Sequence, residues 1–285
     1  MSKKKIIFFS VLFIIFGNFS VWLQNAFSSR GETVAEKLLL RSLAEIVVLF
    51  VVIVPMFKLL KISPENIGLK SRCGIRKGIS ISLPFAVIEI IPAILACNVV
   101  NMSDIGFSGY NVFFCVLLYV FFIGVVEELS ARGIALHYFS KEFFNTKYPE
   151  INAIVFSSLL FAIMHINFSE FNIYMIFYNI LYCCWVFIFS FFMSVMMLYS
   201  KNIWCVIIVH AFVDFFSYLR FICLPSVAYQ YVNAARGLKN LLGLPPASRY
   251  DLQEMGIYLF FSLPELVISV HLIRKMKQNN CFGNH

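Results

Sequence analysis

Charge is scarce in this sequence: Asp, Glu, Lys and Arg make up 13% of its 285 residues, about half the share of an ordinary soluble domain. Glycine and proline are few as well, 13 and 9, and no low-complexity tract or repeat stands out. The eight cysteines contain no C-x-x-C pair. That excludes a zinc knuckle, and with most of them inside apolar runs they read as small apolar residues rather than a disulfide framework. No polar window is long enough for a soluble domain. What fills the chain is apolar: 60% hydrophobic residues and 33 Phe, with a mean hydropathy of +0.83. Such a chain has lipid as its solvent. The net charge of +8 would suggest nucleic acid in a polar chain. Here the basic residues flank apolar runs and set membrane orientation, so a nucleic-acid partner is not expected.

A membrane span needs about 20 mostly apolar residues, and eight windows qualify: Ile6–Leu23, Ser42–Leu60, Ile79–Val100, Gly109–Phe139, Ile151–Phe168, Ile173–Ser200, Ile203–Leu219 and Met255–Ile273. The first follows Lys3 to Lys5 but exceeds the roughly 7–15 apolar residues of a signal peptide, so it reads as an uncleaved span. The fold class is therefore all-α, a polytopic bundle of about eight helices. Three regions follow: residues 1–108 with three spans, residues 109–219 as a core, and residues 220–285 with a Pro-containing connection and the last span. Fifteen Lys and Arg fall on the side of the N-terminus and six on the other. The positive-inside rule then places a multi-pass protein in the cell membrane with both termini cytoplasmic.

Ionisable groups inside spans are costly and mark functional sites by default. They concentrate in three places: Glu127-Glu128-x-x-x-Arg132, His165, and His210-x-x-x-Asp214. At about 100° per residue, Glu128 and Arg132 share a face and can pair, whereas Glu127 and Arg132 stand about 140° apart. Glu127 must then face a wet cavity or another polar helix, where a desolvated carboxylate suits general-base work. His210 and Asp214 share a face, as do Phe161 and His165, with Phe161 placed to shield the imidazole. Two carboxylates and two imidazoles from three helices can activate a water, with donors or a metal for the oxyanion. Linear counting raises one difficulty. Glu127 lies past the middle of span four and His165 near the far end of span five, so convergence requires a tilted span four or a span five that starts deeper than Ile151.

At these residues the sequence resembles a known family. Glu127-Glu128-Leu129-Ser130-Ala131-Arg132, Phe161-Ala162-Ile163-Met164-His165 and His210-Ala211-Phe212-Val213-Asp214 are similar, in order, to the motifs of the CAAX-protease and bacteriocin-processing (CPBP, or Abi) intramembrane proteases. The resemblance covers roughly Gly109 to Leu219. It implies an intramembrane endopeptidase of about eight helices in which Glu127 and His165 activate the attacking water. His210 and Asp214 would stabilise the oxyanion, and Glu128 and Arg132 would support the site. It leaves metal dependence open: no cofactor is certain, and a divalent ion such as zinc would have Glu127, His165, His210 and Asp214 as candidate ligands. Asp214 departs from the Asn of the eukaryotic prenyl-protein endoproteases. An ionised Asp accepts hydrogen bonds but donates none, so either Asp214 is protonated, or it orients His210, or it helps to bind a cation. The expected partners are a peptide or protein substrate and the lipid bilayer. In a bacterium the resemblance suggests maturation of a peptide, pheromone or bacteriocin, or self-immunity against one.

Two other readings compete: a catalytically silent scaffold or immunity protein of the same fold, and a transporter, for which Glu89 between Pro84 and Pro92 would be the pointer. Gly106-Phe107-Ser108-Gly109 matches a short rhomboid-type element without its A-H-x-x-G partner and reads as a helix start capped by Ser108. No H-E-x-x-H or G-x-G-D occurs, against site-2-type and presenilin-type enzymes. Glu265, His137, His271 and His285 are read as structural or interfacial. The Lys70 to Lys77 cluster is read as an anchor to anionic lipid.

Overall fold

The structure, a computed structural model, describes residues 3–69, 74–97, 106–166, 173–223 and 249–278. Among these residues it is all-helical: α1 (Lys3–Ser28), α2 (Val34–Leu59), α3 (Ile75–Cys97), α4 (Tyr110–Glu142), α5 (Pro149–Met164), α6 (Ile173–Ser200), α7 (Ile203–Ser217), the short α8 (Leu219–Cys223) and α9 (Arg249–Gln278). Each of the eight expected spans holds a helix. In lipid this is forced, because every backbone N–H and C=O must be satisfied within its own segment. Five helices (α1, α2, α4, α6 and α9) are long and apolar enough to cross a membrane among the described residues; α5 and α7 are shorter apolar helices. Of the connection before the last span, residues 224–248 lie outside the described residues, as do Lys70, Arg72, Cys73, Cys281, His285 and the side chains of Glu89 and Cys97.

Local chemistry sets several helix ends. Thr33 caps α2 in a reciprocal capping box with Glu36, which satisfies two orphan backbone donors. Asn202 caps α7 by accepting from the Trp204 amide at 2.9 Å, and Pro149 opens α5, where a missing N–H costs nothing. The start of α4 differs from the expected serine cap. Gly109 is the capping residue, with φ +106° and no side-chain hydrogen bond. Ser108 and Gly106 instead donate their backbone N–H to Ile222 and Cys223. The chain must turn sharply from that pairing into the helix, and only glycine enters this backbone region without strain.

Two helices widen into π-turns, α2 at Leu49–Ile53 and α4 at Leu129–Leu136. The second begins directly after the glutamate pair, a place where such bulges commonly serve function. Packing joins α9 to α6 and α3, α2 to α1 and α4, α3 to α7, α5 to α6, and α4 to α7. The main apolar core gathers Val125, Leu129, Phe139, Phe189, Met193, Val206 and Ile207 from α4, α6 and α7.

Beside it lies a sealed polar cluster among α1, α2 and α4. Ser20 and Gln24 donate to Glu45 Oε1, and the Tyr119 hydroxyl donates to Gln24 Oε1 at 2.8 Å. Glu45 and Tyr119 are almost wholly buried.

Candidate active site

Glycine brings the two glutamates to their partners. A Cβ on Gly124 of α4 would sit 3.3 Å from Ile207 O and 3.4 Å from Ala211 N of α7, so the absence of a side chain lets the two backbones approach. Small residues serve this purpose in membrane bundles. One turn on from Gly124 come Glu127 and Glu128, and they meet His210 beside Ala211.

The two glutamates diverge at once. Glu128 is fully buried; its Oε1 accepts from Arg132 Nη1 at 2.8 Å and from His210 Nδ1 at 2.6 Å. The i,i+4 spacing accounts for the first contact, while the second joins α4 to α7. Arg132, also buried, donates through Nη2 to the Ser190 carbonyl at 2.9 Å and the Ser190 hydroxyl at 3.0 Å. Its guanidinium lies 5.0 Å from the centre of the Phe161 ring. Buried charge thus has both a countercharge and directed hydrogen bonds, which offset the cost of removing it from water.

Glu127 keeps about a quarter of its side chain exposed, as do His165 and Asp214. Its Oε2 is 3.6 Å from His210 Nε2 and 3.9 Å from His165 Nε2. Asp214 Oδ2 stands 3.7 Å from the same His210 nitrogen.

Each imidazole is oriented by its other nitrogen. His165 Nδ1 lies 2.7 Å from the Phe161 carbonyl, which only accepts, so Nδ1 carries the proton. His210 Nδ1 donates likewise to Glu128. Both Nε2 atoms therefore turn toward Glu127, and a neutral ring presents a lone pair there.

Aromatic rings wall the cleft. Phe161 packs on His165 at 4.6 Å, Phe189 meets His210 edge-on at 5.4 Å, and Tyr182 approaches His165 at 6.2 Å. The expected set Glu127, Glu128, Arg132, Phe161, His165, His210 and Asp214 is thus one cluster.

Sequence reading missed Ser190, Phe189 and Tyr182. Ser190 was one of several small polar residues on a mostly apolar helix, and the two aromatics carried no signal among 33 Phe and 13 Tyr.

The depth difficulty resolves differently from either expectation. Both helices are anchored at the turn of residues 143–148. Glu127 lies 15 residues from Glu142 and His165 16 residues from Pro149, roughly 22 and 24 Å along the two helices at 1.5 Å per residue. They are level because α5 ends at Met164. At roughly 24 Å it falls short of a hydrocarbon core of about 30 Å, so His165 lies within that thickness rather than beyond it.

Imidazole and carboxylate suit zinc in kind. Among the described residues, however, no three His, Cys, Asp or Glu side chains form a metal-holding group. The separations of 3.6 to 3.9 Å are those of facing, partly open charges.

Comparison with protein families places this geometry. Residues 109–216 match the model of the Rce1-like family, type II CAAX prenyl endopeptidase Rce1-like. The core segment is similar to that family. The match runs from the glycine that opens α4 to the last turn of α7 and so contains every residue of the cluster. The Rce1-like segment supports a CAAX-type intramembrane protease fold in a multi-pass membrane protein. No curated protein and no solved structure matches the chain.

Proposed function

We propose that this protein is an intramembrane endopeptidase that hydrolyses a peptide bond with a water activated by Glu127. The observation that carries the reading is the convergence of two oriented imidazole Nε2 atoms and the Asp214 carboxylate on the open glutamate, with the second glutamate locked out of the cleft. Glu127 takes the proton of the water, which His165 Nε2 holds by accepting its other hydrogen. Both contacts lie in a half-open, aromatic-walled cleft where bulk water does not compete. His210 and Asp214 line the side of the cleft that receives the carbonyl oxygen, and Glu128 keeps His210 in one tautomer, the role an acidic partner plays for an imidazole in hydrolases generally. Arg132 and Ser190 hold Glu128 in turn.

Cleavage at this depth implies a substrate that reaches the site from the membrane, a peptide with an apolar or lipid-modified terminus. The name of the matched family points to a prenylated CAAX end; a secreted peptide or bacteriocin precursor is the corresponding bacterial substrate. Both termini lie on the cytoplasmic side in this reading, in keeping with the distribution of Lys and Arg.

Purified protein in detergent, offered a peptide library in prenylated and unprenylated form and read by mass spectrometry, should release fragments that the Glu127→Ala variant does not. Equal fragment patterns from both proteins, with the biological phenotype surviving in Glu127→Ala, would replace the peptidase reading by that of a silent scaffold.

A further inference from the structure

One hydroxyl beside the cleft has no task in this scheme. Tyr182 stands on α6 with its ring clamped. It stacks on Tyr178 at 5.7 Å and 16°, leans on Trp185 at 5.6 Å, and presents an edge contact to the His165 imidazole at 6.2 Å. The residue is half-buried. Its hydroxyl makes no hydrogen bond among the described residues, unlike that of the sealed Tyr119. The groups within electrostatic reach of it are Tyr178 on its own helix, Glu127 on α4, and Asp214 and Tyr218 at the end of α7. A tyrosine hydroxyl at the edge of an apolar site normally finds a partner in protein or water. This one is held rigid, without a partner, against the groups that would perform the hydrolysis.

The donor inventory of the cleft shows what is missing. Hydrolysis of an amide places negative charge on the carbonyl oxygen, and preorganised donors there are worth more than any other single contribution. Glu127 and Asp214 in their ionised forms only accept. His165 and His210 spend their Nδ1 protons on Phe161 O and Glu128, so in the neutral state each offers a lone pair at Nε2. With both carboxylates ionised and both rings neutral, these four groups offer the cleft no hydrogen-bond donor. An Asn at position 214 would bring an amide N–H; Asp214 does not.

We propose that Tyr182 supplies that donor, its hydroxyl hydrogen-bonding the carbonyl oxygen of the scissile amide as negative charge develops on it. The assignment rests on the peptidase reading above. As the water oxygen bonds to the carbonyl carbon, its proton passes to Glu127. The C=O π pair moves onto oxygen, which Tyr182 holds without surrendering its own proton. On collapse the pair re-forms the carbonyl, the C–N bond breaks, and the proton on Glu127 passes to the departing nitrogen. Tyr182 ends each cycle unchanged.

Five proteins test this with the peptide best cleaved from the library: wild type, Glu127→Ala, Tyr182→Phe, Asp214→Asn and the Tyr182→Phe/Asp214→Asn double variant. Removing a hydroxyl without a partner strands no buried group, so Tyr182→Phe should melt with the wild type. Its kcat should fall roughly 10²- to 10³-fold, as for loss of one oxyanion donor, with KM within about threefold. In the Asp214→Asn background, where an amide donor is restored, the same change should cost less than about tenfold. A kcat within twofold of wild type for Tyr182→Phe, or an equal loss in both backgrounds, overturns the assignment and leaves the peptidase reading standing. Cleavage by the wild type no greater than by Glu127→Ala overturns that reading first, and the role of Tyr182 with it.

Discussion

Two polar clusters are buried in this bundle, and they are built on opposite plans. Among α1, α2 and α4, Ser20, Gln24, Glu45 and Tyr119 close on one another, and each is at most 8% exposed. Among α4, α5 and α7, the supporting half is sealed just as tightly at Glu128 and Arg132, yet Glu127, His165 and Asp214 each keep about a quarter of their side chain open. A cluster that only joins helices gains by satisfying its groups internally, since an unmet polar atom in lipid is costly; here Glu45 Oε2 is the oxygen left without a partner among the described residues. A cluster that binds a water and a substrate must leave some of that capacity unspent. The structure therefore separates a site from a staple by openness, although both carry buried glutamate.

The sharpest way to break this contrast is activity. Glu127→Ala, His165→Ala and His210→Ala should each lower peptide cleavage by at least about 10³-fold, beyond the usual 10²–10⁴ range of a single general base only where orientation is lost too. Glu45→Gln, also a buried carboxylate, should stay within a few-fold of wild type. A comparable loss in Glu45→Gln would make the two clusters one functional unit.

Next in size is the sealed half of the site. Arg132→Ala strands Glu128 without its countercharge and should cost about 3–5 kcal/mol, seen as a large drop in the detergent melting temperature. Changing both Glu128 and Arg132 to Gln should recover most of it. No recovery would show that the pair does not act as a unit.

A subtler comparison sets one glutamate against its neighbour. Glu128→Gln should impair cleavage less than Glu127→Gln. Arg132 and His210 both donate to the same Glu128 oxygen, Oε1. A glutamine carbonyl placed there keeps both contacts, whereas no glutamine can act as a base. Equal or reversed losses in kcat would exchange their roles.

The smallest effects belong to single hydrogen bonds. Tyr119→Phe removes the donor to Gln24 and Ser190→Ala one of the donor–acceptor contacts to Arg132; each should lower stability by about 1 kcal/mol. Thermal melts should show the two equal within error, but only Ser190→Ala should also slow cleavage, because Arg132 positions Glu128 and Glu128 positions His210.

Much of this was legible in one dimension. Each helix sits where an apolar run stands, since lipid leaves the backbone no alternative to helix in such a run. The Glu128–Arg132 contact follows from i,i+4 spacing alone, and it survives although the helix widens into a π-turn from Leu129. The three polar motifs were visible because ionisable residues are rare in spans, and rarity is a property of sequence. Ser190, Phe189 and Tyr182 could not be found that way: a serine or an aromatic ring is unremarkable in such a helix, and its meaning comes from the neighbour across the gap.

What the sequence determined by itself, then, was composition-driven: a helical membrane chain, the identity of its ionisable residues, and the pairings available within one turn. Tertiary structure decided which glutamate is open. That choice turns on where α5 stops, on the close approach that Gly124 permits between α4 and α7, and on the contacts of His210 with Glu128 and of Ser190 with Arg132. These are contacts between residues 58 or more positions apart in the chain. No local periodicity encodes such distances, because they arise only when several helices pack at once; His165, whose acceptor Phe161 O lies one turn back in its own helix, is the local exception.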